Sequence, residues 1–180
     1  SLIIGLGCLA QTQRTSAIFV HDQIERHYLL HLPPSYTGDP LPLVLVLHGR
    51  GGTGEHIASY TEFDQLADQH SFITLYPDGI DTQWNYVEGL PNYSSLTTRE
   101  TSFLLELIDH VASLYAVDAK KIYVAGFSNG GFMAQRLACE APERFAAFAS
   151  VAAAGFGGMP YLCDTPSPIS MMLIHGTLDA

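Results

Sequence analysis

Short apolar runs alternate along the chain with longer segments of helical periodicity, and this alternation limits the folds open to it. Six of these runs are rich in β-forming residues, and several are too continuous for one face of the strand to lie in solvent. The runs are Arg26–Leu32, Leu43–His48, Phe72–Tyr76, Lys121–Ala125, Phe148–Ala153 and Ser170–His175. Strands of this kind are typical of a largely parallel sheet with helices on its faces.

Between the runs, apolar residues recur every three or four positions, as they do on one face of a helix. This spacing predicts helices over residues 57–67, 103–114 and 132–138. Thr97-Thr-Arg-Glu100, just ahead of the second helix, matches a capping box, which satisfies free amide donors at a helix start. Strands that alternate with helices predict an α/β domain with a mostly parallel sheet.

Composition excludes several classes of protein and partner. Hydrophobic residues make up 47% of the 180 residues and charged residues only 14%, which excludes a disordered chain. The 18 acidic and 8 basic side chains give a net charge of −10, and no cluster of lysine or arginine is present. Nucleic acids and anionic membranes attract concentrated positive charge, so neither is expected as the main partner.

The first residues form an uncharged apolar run, Ser1–Ala10, which is too short to cross a bilayer. The run resembles the hydrophobic centre of a secretory signal, so residues 1–16 are predicted to be a signal remnant and linker. Residues 17–180 then form one domain of a secreted protein, with a periplasmic or lipid-anchored location as variants of this interpretation. A buried first strand is the alternative interpretation of the run.

The chain has three cysteines, Cys8, Cys139 and Cys163. If Cys8 is removed with a signal, the other two can pair in an oxidising compartment. Cys139 lies in an apolar helical segment, however, which favours a small buried side chain without a bond. The sequence leaves the pairing open.

The segment Lys121–Met133 carries the motif Gly126-Phe-Ser-Asn-Gly130, which has the G-x-S-x-G pattern. An apolar strand leads directly into the motif and an apolar helix leads out of it. A serine on such a turn adopts a strained backbone that projects its hydroxyl from the edge of the sheet. We therefore predict that Ser128 is a nucleophile. The alternative is a serine that only caps a helix between turn glycines.

A second segment, Leu43–Gly54, is an apolar strand followed by a glycine-rich loop. Ester cleavage places negative charge on the carbonyl oxygen, and fixed amide N–H groups stabilise that charge. A loop rich in glycine offers such groups without obstructing side chains. The candidate donors are the backbone N–H of Arg50 or Gly51, together with that of Asn129.

The same loop supports a competing interpretation, because Gly49–Gly54 also fits G-x-G-x-x-G between a strand and a helix. Asp78 follows at the distance expected of a ribose-binding acid. The loop alone would therefore indicate a dinucleotide site, but that interpretation leaves the serine motif without a role.

The third segment, Ser170–Ala180, is an apolar strand that ends in a glycine turn and Asp179. A carboxylate in this position can orient a catalytic imidazole and stabilise the imidazolium. An aspartate in a loop is otherwise a common turn former.

Together these segments resemble the α/β-hydrolase superfamily, and more narrowly the secreted esterases that include polyhydroxybutyrate depolymerases and feruloyl or acetylxylan esterases. The likeness covers Arg26 to Ala180. It rests on His48-Gly49, Tyr76–Gly79, Trp84-Asn85, Tyr115–Asp118, Lys121–Val124, the motif at Ser128, Leu137–Glu140 and His175–Asp179. The resemblance implies Ser128 as nucleophile and Asp179 as acid of a Ser-His-Asp triad that acts on an ester substrate, polymeric or small. Trp84 is interpreted either as a wall for that substrate or as a side chain that packs over the sheet. The resemblance implies no metal and no cofactor.

The chain departs from this family in one respect that matters for catalysis. The family places its triad histidine after the acid, but the eight histidines lie at positions 21, 27, 31, 48, 56, 70, 110 and 175. We therefore expect a fragment, truncated at both ends, that lacks the last strand and helix and is itself inactive. His48 and His175 each precede a loop glycine at a strand end, where we expect them to brace the loops through hydrogen bonds, the alternative being that one of them acts as the base. A hydrolase-like module that only binds is the remaining alternative.

Overall fold

A computed structural model of the chain describes residues 13–87, 98–155, 163 and 168–178. Within these ranges one sheet has seven strands, in the spatial order β1-β2-β4-β3-β5-β6-β7. The strands are β1 (Gln13–His21), β2 (Ile24–Leu32), β3 (Leu41–Leu47), β4 (Ile73–Pro77), β5 (Val117–Phe127), β6 (Ala147–Val151) and β7 (Met171–Ile174). Five neighbouring strands, β4, β3, β5, β6 and β7, are parallel, whereas β1 and β2 form an antiparallel extension next to β4. The prediction of a mostly parallel α/β sheet is confirmed.

Four helices pack on the sheet: α1 (Gly54–Thr61), α2 (Phe63–His70), α3 (Glu100–Leu114) and α4 (Asn129–Glu140). Short 3₁₀ turns lie at Ile80–Thr82 and Pro142–Arg144. No helix in the described ranges combines the length and the apolar character needed to cross a bilayer.

The core lies where α3 and α4 cover the central strands. Leu43, Leu45 and Leu47 alternate along β3 and are completely buried. Helix α3 contributes buried residues at the predicted spacing, among them Phe103, Leu104, Leu107 and Val111. Burial of a large apolar side chain contributes about 1.5–3 kcal/mol to the free energy of folding. The apolar core therefore holds the sheet against α3 and against α4, the helix that follows the serine motif.

Two helix predictions need correction. Residues 57–67 do not form one helix, because Glu62 adopts a left-handed backbone with φ of 56° and separates α1 from α2. The capping box is also wrong: α3 begins at Glu100, its preceding residue Arg99 makes no side-chain cap, and Thr97 lies outside the described residues. The Glu100 carboxylate is instead buried and accepts a hydrogen bond of 2.8 Å from Arg26.

The amino-terminal boundary also differs from the prediction. Residues 13–16, assigned from sequence to a linker, pair with β2 as the first half of β1. From Ala17 onward every second residue of β1 turns toward the core, where Phe19 packs on Phe103 at 6.4 Å between ring centroids, while Ile18 and Val20 stay exposed. This half-exposed edge strand is not a continuous apolar run, so the pattern that indicates buried strands does not include it.

Cys139 and Cys163 form a disulfide bond, so the interpretation of Cys139 as an unbonded buried side chain is wrong. The bond ties the end of α4 to the connection between β6 and β7. Disulfides of this kind are characteristic of proteins that fold in oxidising compartments.

Strand β7 exposes apolar side chains, as expected for the last strand of the sheet that the structure describes. Met172 and Leu173 are each 60% exposed and Ile174 is 51% exposed. Among the described residues β7 pairs only with β6. An apolar strand with a free edge promotes association between chains.

A buried carboxylate on α2 holds together three elements on the opposite side of the sheet. Asp64 accepts hydrogen bonds from Thr74 (2.8 Å) and Tyr76 (2.6 Å) on β4, and from the Arg14 guanidinium (2.6 Å) on β1. Burial favours the neutral acid, but these hydrogen bonds outweigh it and hold the pKa of Asp64 below its ordinary value. Burial, reinforced by the Asp64 carboxylate, raises the pKa of the Tyr76 phenol.

We predict that Asp64→Asn lowers the free energy of unfolding by about 2 kcal/mol near pH 7, because three donors lose a charged acceptor. A carboxylate with a lowered pKa in the folded state stabilises the protein fully above its unfolded-state pKa of about 3.9. That contribution is lost as pH falls through the folded-state pKa. Urea unfolding of the two proteins should therefore give curves of stability against pH that differ above about pH 5 and converge below pH 4.

The control is Asp109→Asn, which removes an exposed partner of Arg144 and should change stability by less than about 0.5 kcal/mol. Equal loss at pH 3 and pH 7 in the Asp64→Asn protein would contradict the assigned role of the charge.

Candidate active site

Ser128 occupies the turn between β5 and α4 in a backbone conformation that few residues adopt. Its φ is 52° and its ψ is −115°. The Ser128 N–H donates to the Val151 carbonyl over 2.8 Å, and the Ser128 carbonyl accepts from the Phe132 N–H over 3.0 Å. The side chain is half-buried, and among the described residues its hydroxyl has no hydrogen-bond partner. The hydroxyl is therefore held by backbone alone and is available for chemistry.

The two motif glycines are required by close approach of neighbouring backbone. A Cβ on Gly126 would overlap the Gly130 carbonyl, and a Cβ on Gly130 would overlap the carbonyl oxygens of Leu47 and His48. The turn is thus packed against the end of β3, as a strand-to-helix nucleophile turn requires. Ser128 makes no capping hydrogen bond to α4, so the interpretation of a serine that only caps a helix fails.

The side chain of Asn129, directly after the serine, is fixed by the backbone of Trp84. The Trp84 N–H donates to Asn129 Oδ1 over 2.6 Å, and Asn129 Nδ2 donates to the Trp84 carbonyl over 3.2 Å. We call this pair of hydrogen bonds the Asn129–Trp84 clamp. The backbone N–H of Asn129 has no acceptor among the described residues, so it stays available at the start of α4.

His48 lies buried at the end of β3 and uses both ring nitrogens. Its Nε2 accepts from the Gly79 N–H over 2.9 Å, which leaves the proton on Nδ1 to be donated to the Gly49 carbonyl over 2.8 Å. Burial lowers the pKa of His48, and the ring stays neutral near pH 7. The expectation that His48 braces the loop is confirmed, and the ring has no free nitrogen with which to act as a base.

Trp84 packs on His48 and helps to hold the loop after β3; it does not form a wall for substrate. Its side chain is 2% exposed, its indole N–H donates to the His48 carbonyl over 2.9 Å, and its ring lies 4.9 Å from the His48 ring. The expectation that Trp84 faces substrate needs correction, because a buried indole with a satisfied N–H is a packing element.

The glycine loop after β3 offers one of its two candidate amides. The Gly51 N–H donates to the Thr82 carbonyl over 2.8 Å, so it is already used. The Arg50 N–H has no acceptor in the part of the chain that the structure describes. Gly51 adopts φ of 79°, which turns the loop at this point. Of the two predicted donors, Arg50 is the one left available.

The other amides of the segment Gly49–Gly54 argue against a phosphate site. Gly52 N–H donates to the Gly49 carbonyl over 3.0 Å, and Gly54 N–H donates to the Asp78 carboxylate over 2.6 Å. A dinucleotide phosphate needs these groups free at the helix start. That interpretation assigns Asp78 to ribose binding. The Asp78 carboxylate instead accepts the Gly54 N–H at the start of α1, where a phosphate would bind.

Asp179 lies outside the described residues. The strand before it, β7, ends at Ile174 and runs parallel to β5 with only β6 between them. Carboxyl ends of parallel strands meet at one edge of the sheet, and neighbouring strands lie about 4.8 Å apart. The loop after β7 therefore starts at the same edge as Ser128. His175, at the start of that loop, is exposed.

Sequence reasoning missed the part played by the turn at residues 79–83. Asp81 and Thr82 both adopt left-handed backbone, with φ of 49° and 57°, and a Cβ on Gly79 would overlap the Gln83 carbonyl. Consecutive non-glycine residues in this region are strained and persist only where neighbours impose them. The turn carries Gln83, whose Oε1 accepts from Arg50 Nε (3.2 Å) and Nη2 (2.8 Å). In the sequence, Gly79 is the residue that could have indicated this turn.

Comparison with known proteins places these features in a family. The family model described as Esterase PHB depolymerase matches residues 26–174. The NocK protein of Nocardia uniformis subsp. tsuyamanensis is 32% identical over 156 residues, which are 86% of this chain and 45% of NocK. Feruloyl esterase C of Emericella nidulans is 29% identical over 182 residues, covering 96% of this chain and 61% of that protein. The chain therefore spans about half the length of these relatives.

Solved structures share the fold at low sequence identity. FphF, a fluorophosphonate-binding serine hydrolase of Staphylococcus aureus, aligns with a TM-score of 0.65 and 17% identity over 87% of this chain and 62% of that one. An acetyl xylan esterase from Aspergillus awamori aligns with a TM-score of 0.64 and 21% identity over 76% and 50%. The fold is that of the α/β-hydrolase esterases, and the family match over residues 26–174 shows that the chain belongs to the Esterase PHB depolymerase family.

Proposed function

We propose that the protein is a serine carboxylic ester hydrolase that works through an acyl-enzyme. The observation that carries the proposal is the strained turn at Ser128, whose hydroxyl is unpartnered among the described residues and whose glycines pack against the end of β3. No simpler structural role explains a serine in this conformation.

In the proposed reaction the Ser128 hydroxyl oxygen attacks the ester carbonyl carbon while a histidine removes the hydroxyl proton. The tetrahedral intermediate collapses, the alcohol leaves with that proton, and the acyl group stays on Ser128. Water then releases the acid by the same two steps. In this proposal the base is a triad histidine that Asp179 orients. His48 is excluded as the base by its two ring hydrogen bonds.

The oxyanion of the intermediate is held by the N–H groups of Arg50 and Asn129. Both are without acceptors among the described residues: Arg50 lies in the loop after β3 and Asn129 is the first residue of α4, which follows β5, the strand paired with β3. The positive end of the α4 dipole adds to the stabilisation. Amides that are fixed before the reaction stabilise developing charge without reorganisation, which makes such a site effective.

The substrate proposed is an ester linked to a polymer, either a polyhydroxyalkanoate or a feruloylated or acetylated plant polysaccharide. The family description and the names of the relatives, which include a feruloyl esterase and an acetylxylan esterase/xylanase of Neocallimastix patriciarum, support this choice. The Cys139–Cys163 disulfide supports a location outside the cytoplasm. The proposed mechanism uses neither a metal nor a cofactor.

The first test replaces the nucleophile in the protein expressed from its complete reading frame. Ser128→Ala should lower kcat/KM for 4-nitrophenyl acetate by at least about 10⁴-fold, because no acyl-enzyme can form. Ser113→Ala, which removes an exposed hydroxyl on α3, should leave the rate unchanged. Full turnover by the Ser128→Ala protein would refute the proposal.

The second test concerns the Asn129–Trp84 clamp. Asn129→Asp keeps the shape but cannot donate to the Trp84 carbonyl, and it places a negative charge beside the developing oxyanion. We expect kcat at pH 8 to fall by about 10²-fold, a loss of the same size as removal of one oxyanion donor. The deficit relative to the wild-type protein should shrink at lower pH as the new carboxyl group protonates.

Gln65→Glu adds the same charge on the exposed face of α2 and serves as the control, with no expected change in kcat. A rate for Asn129→Asp that matches the wild-type protein at every pH would show that the clamp does not position the site.

A further inference from the structure

Arg50 differs from the other arginines of the chain in its partners. Five of the six arginines have a carboxylate within 3.1 Å, an arrangement that suits a chain with a net charge of −10. The pairs are Arg14–Asp64, Arg26–Glu100, Arg99–Asp22, Arg136–Glu140 and Arg144–Asp109. Among the described residues, Arg50 contacts only the neutral side chain of Gln83.

The contact with Gln83 orients the guanidinium. Arg50 Nε and Nη2 both donate to Gln83 Oε1, which uses one edge of the planar group. The outer edge, formed by Nη1 and the second Nη2 proton, has no acceptor among the described residues. An arginine edge of this kind matches the two oxygens of a carboxylate.

The surrounding backbone holds Arg50 in this place. Its neighbour Gly51 donates to Thr82, and Thr82 and Gln83 belong to the strained turn that Gly79 permits. Loop and turn are therefore fastened to each other by a backbone hydrogen bond and by the side-chain contact. A charged group that is fixed before substrate arrives gives selectivity at a small loss of side-chain entropy.

The position of Arg50 also links it to the reacting ester. Its backbone N–H is one of the two amides assigned above to the oxyanion, so the side chain starts beside the scissile carbonyl. The Arg50 side chain is exposed, and its guanidinium lies beside Gln83 on the turn at residues 79–83. A charged group on the substrate would meet it several bonds away from the ester.

We propose that Arg50 makes the site selective for esters that carry a carboxylate, by pairing its outer guanidinium edge with that group. This inference rests on the proposed ester hydrolysis and adds the substrate class. The carboxylate belongs either to the acyl group, as in the half-ester of a dicarboxylic acid, or to the alcohol, as in an ester of a hydroxy acid. The chemistry that Arg50 recognises is the same in both cases.

The test compares matched anionic and neutral esters in the protein expressed from its complete reading frame. The acyl pair is 4-nitrophenyl hydrogen adipate and its methyl ester, and the alcohol pair is 3-acetoxybenzoate and methyl 3-acetoxybenzoate. The readout is the ratio of kcat/KM for the anionic ester to that for the neutral ester. An exposed ion pair predicts a ratio of about five for the pair that carries the carboxylate on the correct side.

Arginine variants and salt concentration distinguish an effect of the Arg50 guanidinium on the kcat/KM ratio from a general effect of protein charge. Arg50→Gln should reduce the ratio to one or below, because the net negative charge then repels the anion, whereas Arg50→Lys should keep part of the preference. Arg144→Gln removes a half-buried positive charge that precedes β6, at the opposite end of the parallel strands from Arg50, and should not change the ratio. Raising the salt concentration to about 0.5 M should reduce the preference of the wild-type protein itself through screening, so the test does not depend on any variant folding.

Two outcomes would overturn the inference in different ways. If turnover depends on Ser128 but the ratio is near one in both ester pairs, or is unchanged in Arg50→Gln, the selectivity of Arg50 is refuted and the proposed hydrolysis stands. If no ester is turned over in a Ser128-dependent manner, the proposed function fails and the selectivity fails with it.

Discussion

The left-handed backbone of one serine between a parallel strand and a helix is the constraint on which the rest of this structure depends. Ser128 keeps that conformation because Gly126 and Gly130 allow backbone to pass at contact distance on both sides. Its N–H is tied to β6 through Val151. The carboxyl ends of β3, β5 and β6 therefore pack together at the Ser128 turn, and the neighbouring loops pack against them.

A chain of hydrogen bonds extends this order from the serine to the loop after β3. Asn129 is clamped to the backbone of Trp84, the Trp84 indole donates to His48, and His48 joins Gly49 to Gly79. In the same loop the Gly52 and Gly54 amides, which a dinucleotide phosphate would need, donate to Gly49 and Asp78, whereas the N–H groups of Arg50 and Asn129 have no acceptor among the described residues. The same observations thus favour acyl transfer and count against nucleotide binding.

Much of the fold was predictable, because continuous apolar runs and the Gly-x-Ser-x-Gly turn depend on local sequence. The errors came from distant partners. Glu100 looked like part of a capping box but pairs with Arg26, which is 74 positions away, and Trp84 looked like a substrate wall but packs on His48. Cys139 pairs with Cys163 through a contact that spacing alone does not determine. The guanidinium edge of Arg50 that has no acceptor among the described residues is likewise a consequence of contacts between distant residues, which the sequence alone does not give.

The most direct measurement of the central claim is to treat the folded protein, expressed from its complete reading frame, with a fluorophosphonate and to locate the adduct by peptide mass spectrometry. A hydroxyl activated in this turn forms one phosphonyl bond, so the label should be found on Ser128 and should disappear when the protein is unfolded first. A folded protein that remains unlabelled at Ser128, or that carries the label on another serine, would contradict the account and leave the module without a nucleophile.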